Sequence, residues 1–120
     1  MNVQENRIVN KPAPGVYVHA PFCSSTCDFC AFYQEKPRKN TIKSFLSGLE
    51  REFELVSPPP ETVTIFIGGG TPGVLSSGQL EILCGLVKNA AGDRIREWSV
   101  ELAPNEITAE KLGVLRAAGV

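Results

Sequence analysis

The sequence has no hydrophobic run of membrane-spanning length, and its first fourteen residues, polar and containing Pro12 and Pro14, lack the apolar core of an export signal. These absences point to a cytoplasmic chain with reduced thiols. An excess of charge is also missing. Twelve Lys and Arg stand against 13 Asp and Glu, a formal net charge of −1 with a pI near 5.8. No electrostatic case for nucleic acid or an anionic membrane surface follows from that balance. At 120 residues there is room for one domain at most, and no low-complexity stretch or linker divides it. A disulfide framework fits poorly, because three of the four cysteines fall within one short window.

What is present is an alternation of strand and helix patterns after a polar tail over 1–14. A short apolar run over 16–20, interrupted by His19, leads into the cysteine window. A helix is expected over 41–56, with Ile42, Phe45, Leu46, Leu49, Phe53 and Val56 on one face and the proline run 58–60 closing it. The β-branched and aromatic run 62–67 reads as a strand buried on both faces. Ser76 and Gln79 have capping-box spacing at the start of a second helix, which Gly92 stops. Residues 98–102 form a third strand. Thr108 caps a third helix that turns Leu112 and Leu115 inward and reaches Gly119. The expected fold is α/β, a parallel (βα)3 unit with right-handed crossovers over 15–120. It reads as the N-terminal half of a partial, TIM-like (β/α) barrel, cut after the third βα unit. An unpaired sheet edge and uncovered helix faces would make such a unit prone to aggregate.

Chemistry gathers where the loops after parallel strands emerge. Cys23, Cys27 and Cys30 have the spacing C-x3-C-x2-C on the loop after the first strand. Three thiolates on one loop can grip a cubane iron–sulfur cluster and leave its fourth iron open to a small molecule. Gly68-Gly69-Gly70-Thr71-Pro72 follows the second strand, and consecutive glycines let a ligand lie against a bare main chain. Glu101 lies near the end of the third strand. Strand alternation places it with Ser99, opposite Trp98, Val100 and Leu102, and places Tyr17 with His19, opposite Val16 and Val18. A carboxylate, a phenol and an imidazole thus line one rim.

Other readings of these residues stay open. His19 with the three cysteines is a legitimate tetrahedral zinc set, which would make the chain a structural metal module or an inactive fragment. His19 also reads as a plain core or supporting residue, and Glu101 and Tyr17 have ordinary surface and packing readings. Gly68, Gly70 and Gly73 satisfy G-x-G-x-x-G. Against a dinucleotide site, Pro72 interrupts the motif, and the following helix starts too late to present its N-terminus to a pyrophosphate. Cys84 falls inside the second helix as a small buried hydrophobe rather than a ligand.

Taken together, Tyr17-Val18-His19-Ala20-Pro21-Phe22-Cys23 with Cys27 and Cys30, then 66–72, then Val100-Glu101-Leu102-Ala103-Pro104, resemble the radical S-adenosylmethionine (SAM) enzymes. The nearest group is that of oxygen-independent coproporphyrinogen III oxidase and its relatives. The resemblance implies a [4Fe–4S] cluster on Cys23, Cys27 and Cys30, with SAM chelating the fourth iron through its methionyl amine and carboxylate. It implies reductive cleavage of SAM to a 5′-deoxyadenosyl radical, and therefore an electron donor. Gly69, Gly70 and Thr71 match the segment that holds the methionyl end, Tyr17 and Glu101 match further cofactor contacts, and Phe29 matches a position packed near the cluster.

The porphyrinogen oxidase branch carries a further cysteine two positions beyond the third ligand, where this chain has Phe32. That departure favours the haem chaperone branch, with haem or porphyrin as the small-molecule partner, and the oxidase itself as the alternative. Whether the chain is an enzyme differs between these branches. Family members are longer than this chain, and Ala20 stands where they prefer a larger aliphatic residue.

Overall fold

A computed structural model describes residues 13–23 and 36–120. Among the described residues, three strands, β1 (Gly15–Ala20), β2 (Thr64–Gly69) and β3 (Glu97–Val100), alternate with three α-helices, α1 (Lys39–Leu55), α2 (Ser77–Ala91) and α3 (Ala109–Ala118). The strands form one parallel sheet in the order β1-β2-β3. In register, Tyr17 lies beside Phe66 and Phe66 beside Ser99, while His19 lies beside Gly68. This is the parallel α/β arrangement the sequence pattern predicts.

Each helix begins where local chemistry satisfies its free amides. The Ser76 hydroxyl accepts from the Gln79 amide at 3.2 Å, and the Gln79 side chain accepts from the Ser76 amide at 2.9 Å. Thr108 caps α3 by accepting from the Lys111 amide at 3.1 Å. Helix α1 starts two residues earlier than the pattern predicts, because the Thr41 hydroxyl accepts the Arg38 amide at 3.1 Å and closes the turn before it. Gly92 ends α2 at φ +94°, a left-handed value that favours glycine.

One face of the sheet is covered. Val18, Ala20, Ile65, Ile67 and Trp98 are buried with Leu80, Leu83, Cys84 and Val87 of α2, Ile42 and Leu46 of α1, and Leu115 of α3. Phe22 joins this core, its ring edge-on to Phe45 at 5.4 Å between centroids. The other face is open, carrying Tyr17, His19, Phe66, Gly68 and Ser99.

Four details differ from the sequence reading. Strand β2 is shifted to 64–69, because Thr62 turns aside, buried, its hydroxyl donating to the Pro59 carbonyl at 2.5 Å. It is buried on one face only, since Phe66 is 40% exposed. Val56 closes α1 as its C-cap and is exposed, not part of the inward stripe. Leu112 is exposed too, because the inward side of α3 runs through Val114, Leu115 and Ala118.

Candidate cofactor site at the ends of the strands

The chain leaves β1 through Pro21 and Phe22 to reach Cys23, which is half-buried. The glycine loop leaving β2 crosses directly beside it. The Gly70 amide donates to the Ala20 carbonyl and the Thr71 amide to the Phe22 carbonyl, both at 2.8 Å. These bonds extend the parallel pairing past β1 and hold the two loops edge to edge. The approach demands glycine. A side-chain carbon at Gly70 would fall 2.7 Å from Cys23 Sγ, and closer still to the Phe22 carbonyl oxygen. At Gly69, φ is +112°, and a side-chain carbon would lie 2.8 Å from both the Ala20 carbonyl oxygen and His19 Nδ1. A stretch expected to offer bare amides to a ligand therefore spends two of them on the β1 exit.

Glu101 sits one residue beyond β3, its amide still donating to the Ile67 carbonyl at 3.0 Å. Its side chain is exposed and leans over Gly68, where an added carbon would come within 3.2 Å of the carboxyl group. On the same open face, the Tyr17 hydroxyl and His19 Nδ1 are 3.2 Å apart, and the Tyr17 and Phe66 rings stack at 5.8 Å. The structure thus brings Tyr17, His19, Cys23, Gly69, Gly70 and Glu101 to one end and one face of the sheet. Cys27, Phe29 and Cys30 lie outside the described residues. Among the described residues no cluster of three His, Cys, Asp or Glu side chains forms a metal site.

The Thr71 hydroxyl is engaged within the protein. Its hydroxyl donates to Glu106 Oε2 at 2.8 Å and accepts from the Ala103 amide at 3.1 Å. Sequence reasoning missed Glu106 and Lys111, whose ammonium donates to the Gly73 carbonyl at 2.6 Å. No periodicity announces them, because both act across the sheet end on a loop 35 or more residues earlier. Phe66 was also missed. Its signal was available: alternation with Gly68 on β2 puts it on the open face.

Cys84 is buried on α2, and burial alone pushes its thiol up to about 11. It belongs to the core, far in character from the half-buried Cys23.

No family model matches the chain. The heme chaperone HemW of Bacillus subtilis is 36% identical over 109 residues, covering 87% of this chain and 29% of that protein. The oxygen-independent coproporphyrinogen-III oxidase-like protein HemZ of the same organism is 32% identical, covering 88% of this chain and 23% of HemZ. Among solved structures, coproporphyrinogen III oxidase HemN of Escherichia coli, described as a radical SAM enzyme, superposes with a TM-score of 0.72. The two are 29% identical, over 89% of this chain and 26% of HemN. The chain is a relative of the oxygen-independent coproporphyrinogen III oxidase-like proteins. It spans less than a third of the length of these relatives, and its fold matches the N-terminal part of HemN.

Of the residues that the resemblance assigns to a cluster and SAM, the described ones come together near the ends of the strands. The Cys23 thiol, three residues beyond β1, is pressed against Gly70, whose missing side chain is what permits the contact, and the Glu101 carboxylate overhangs Gly68, two residues earlier. No helix among the described residues is long and apolar enough to cross a membrane.

Proposed function

We propose that this chain is the cluster- and cofactor-holding segment of a radical SAM protein of the haem chaperone type. Cys23, Cys27 and Cys30 would hold a [4Fe–4S] cluster, leaving one iron for the amino-acid end of SAM. When bound, the cluster would supply a single electron for reductive cleavage of SAM, and the protein would position and shelter the reacting groups. The observation that carries this reading is the contact of Cys23 Sγ with Gly70, in line with Glu101 over Gly68. It sets the start of the cysteine loop and the glycine main chain against each other at the sheet end.

The roles of the individual residues follow from their placement. The Glu101 carboxylate is an acceptor suited to the ammonium of an amino acid or to hydroxyl groups. Tyr17 and Phe66 offer an aromatic wall on the same face, suited to a flat ring. The region from residue 15 onward would form one domain, working in the reducing cytoplasm with an electron donor. Haem or a porphyrin is the proposed partner of the whole protein, because Phe32 stands where the oxidase branch has a further cysteine.

Anaerobic reconstitution with iron and sulfide tests the reading. The expected product carries about four irons and four sulfides per chain. Its reduced EPR signal should shift when SAM is added. Retained zinc, with no iron or sulfide taken up, would replace the proposal with the structural metal module.

A further inference from the structure

Two loops flank the proposed cofactor site, one leaving β2 and the other leaving β3, and the first is tied below it to the second and to the start of α3. Three contacts do this. The Thr71 hydroxyl donates to Glu106 Oε2 at 2.8 Å, and the Ala103 amide donates to that same hydroxyl at 3.1 Å. Lys111 Nζ donates to the Gly73 carbonyl at 2.6 Å. Gly73 is also pressed close, since a side-chain carbon there would lie 3.0 Å from Glu106 Oε2 and 3.2 Å from Leu102 Cδ2. The Ala103 amide sets the direction of the Thr71 hydroxyl. With one lone pair of Oγ1 taken by that amide, its proton is aimed at the Glu106 carboxylate, the partner that makes the stronger kind of hydrogen bond.

Thr71 is therefore held from two sides. Its amide is bound by the Phe22 carbonyl, one residue before Cys23. Its side chain is bound by Glu106, five residues after Glu101. Thr71 thus joins the β1 exit to the β3 exit through one residue.

We infer that Glu106 is a positioning residue, which through Thr71 fixes the spacing of the Cys23 loop, the glycine loop and Glu101, and so sets the affinity for SAM. This rests on the proposed radical SAM reading. Glu106 itself is not placed in contact with cluster or cofactor. It acts by keeping the glycine loop in the one arrangement where Gly69 and Gly70 abut the cysteine loop while Glu101 overhangs Gly68.

The experiment compares Glu106→Ala and Glu106→Gln with the parent protein in two measurements. The first is amide hydrogen exchange of the metal-free protein. In Glu106→Ala the Gly70 and Thr71 amides should exchange about tenfold faster, while Ile65, Ile67 and the α2 amides keep their rates. Glu106→Gln retains an acceptor oxygen and should stay within about threefold of the parent. The second measurement titrates SAM into the reconstituted, reduced protein and follows the EPR shift. Glu106→Ala should hold the parent's iron and sulfide content yet need about tenfold more SAM, with Gln restoring most of the loss.

Unchanged exchange at Gly70 and Thr71 in Glu106→Ala would overturn the inference, as would an unchanged SAM titration. Loss of the cluster itself in that variant, or equal damage from Gln and Ala, would also overturn it by making the role merely structural. If the parent shows no SAM-induced shift, the radical SAM reading fails. The exchange result then still decides whether Glu106 holds the loop.

Discussion

The two faces of this sheet are built from the same three strands and could hardly differ more. The covered face presents Val18, Ile65, Ile67 and Trp98 to the helices, each with at most 9% of its surface exposed. The open face presents Tyr17 at 57% and Phe66 at 40% exposure, with His19 and Glu101 beside them. Alternation along a strand separates the two sets completely, because successive side chains point to opposite sides. One face can thus be spent on packing and the other on chemistry with no residue serving both. The loops follow the same division. Phe22 turns into the core, and Cys23, next in the chain, turns toward Gly70.

The cysteines offer the sharpest way to break this comparison. Cys23→Ala, Cys27→Ala or Cys30→Ala should each abolish the reconstituted cluster, reducing bound iron and sulfide to background. Cys84→Ala should leave both unchanged, because Cys84 is a buried core thiol on the covered side. Equal loss in the Cys84 variant would show that the two sides are not separate.

Next in size is a pair of neighbours on β2. Ile67→Ala removes fully buried carbon from the covered face and should cost about 2–5 kcal/mol in urea unfolding. Phe66→Ala, one residue earlier on the open face, should cost about 1 kcal/mol, since it gives up a half-exposed ring and its stacking on Tyr17. In the SAM titration the order should reverse, with Phe66→Ala causing the larger loss of affinity per unit of stability lost. A matching stability cost at both positions would contradict the one-sided core.

A smaller effect separates the faces by pH. Burial raises the Cys84 thiol from its ordinary value of 9.0 to about 11, so the folded chain holds that proton more tightly than the unfolded chain does. The contribution is fully present below about pH 9 and is lost as pH rises toward 11, amounting to about 2–3 kcal/mol. The urea midpoint of the parent should fall across that window by more than the midpoint of Cys84→Ala. Identical slopes would mean that the thiol is not held neutral by the core.

Much of this was legible in the residues. The strand patterns, the Ser76 capping box, the Gly92 stop and the facing of Trp98 away from Glu101 all follow from local chemistry and alternation. The errors also have local causes. Leu112 and Val56 fit an inward stripe by spacing, but Val56 falls past the last turn of α1 as its C-cap, and the inward side of α3 runs through Val114, Leu115 and Ala118. Thr62 reads as a strand residue by type, whereas its hydroxyl finds the Pro59 carbonyl and makes a turn. The glycine loop was legible as a place of close approach, but what approaches it was not: Gly70 meets the β1 exit and Cys23 Sγ. The Thr71–Glu106 tie was not legible at all, because it depends on how two loops fall together beyond the ends of their strands.

The most direct test of the central claim is electron–nuclear double resonance of the reduced, reconstituted protein with SAM labelled with 15N at its amine. If the glycine loop and the cysteine loop form one site, a hyperfine coupling from that nitrogen to the cluster will appear, and Gly70→Ala will remove it. A cluster that forms normally, yet shows no coupling at saturating SAM, would contradict the account by separating the metal from the glycine loop.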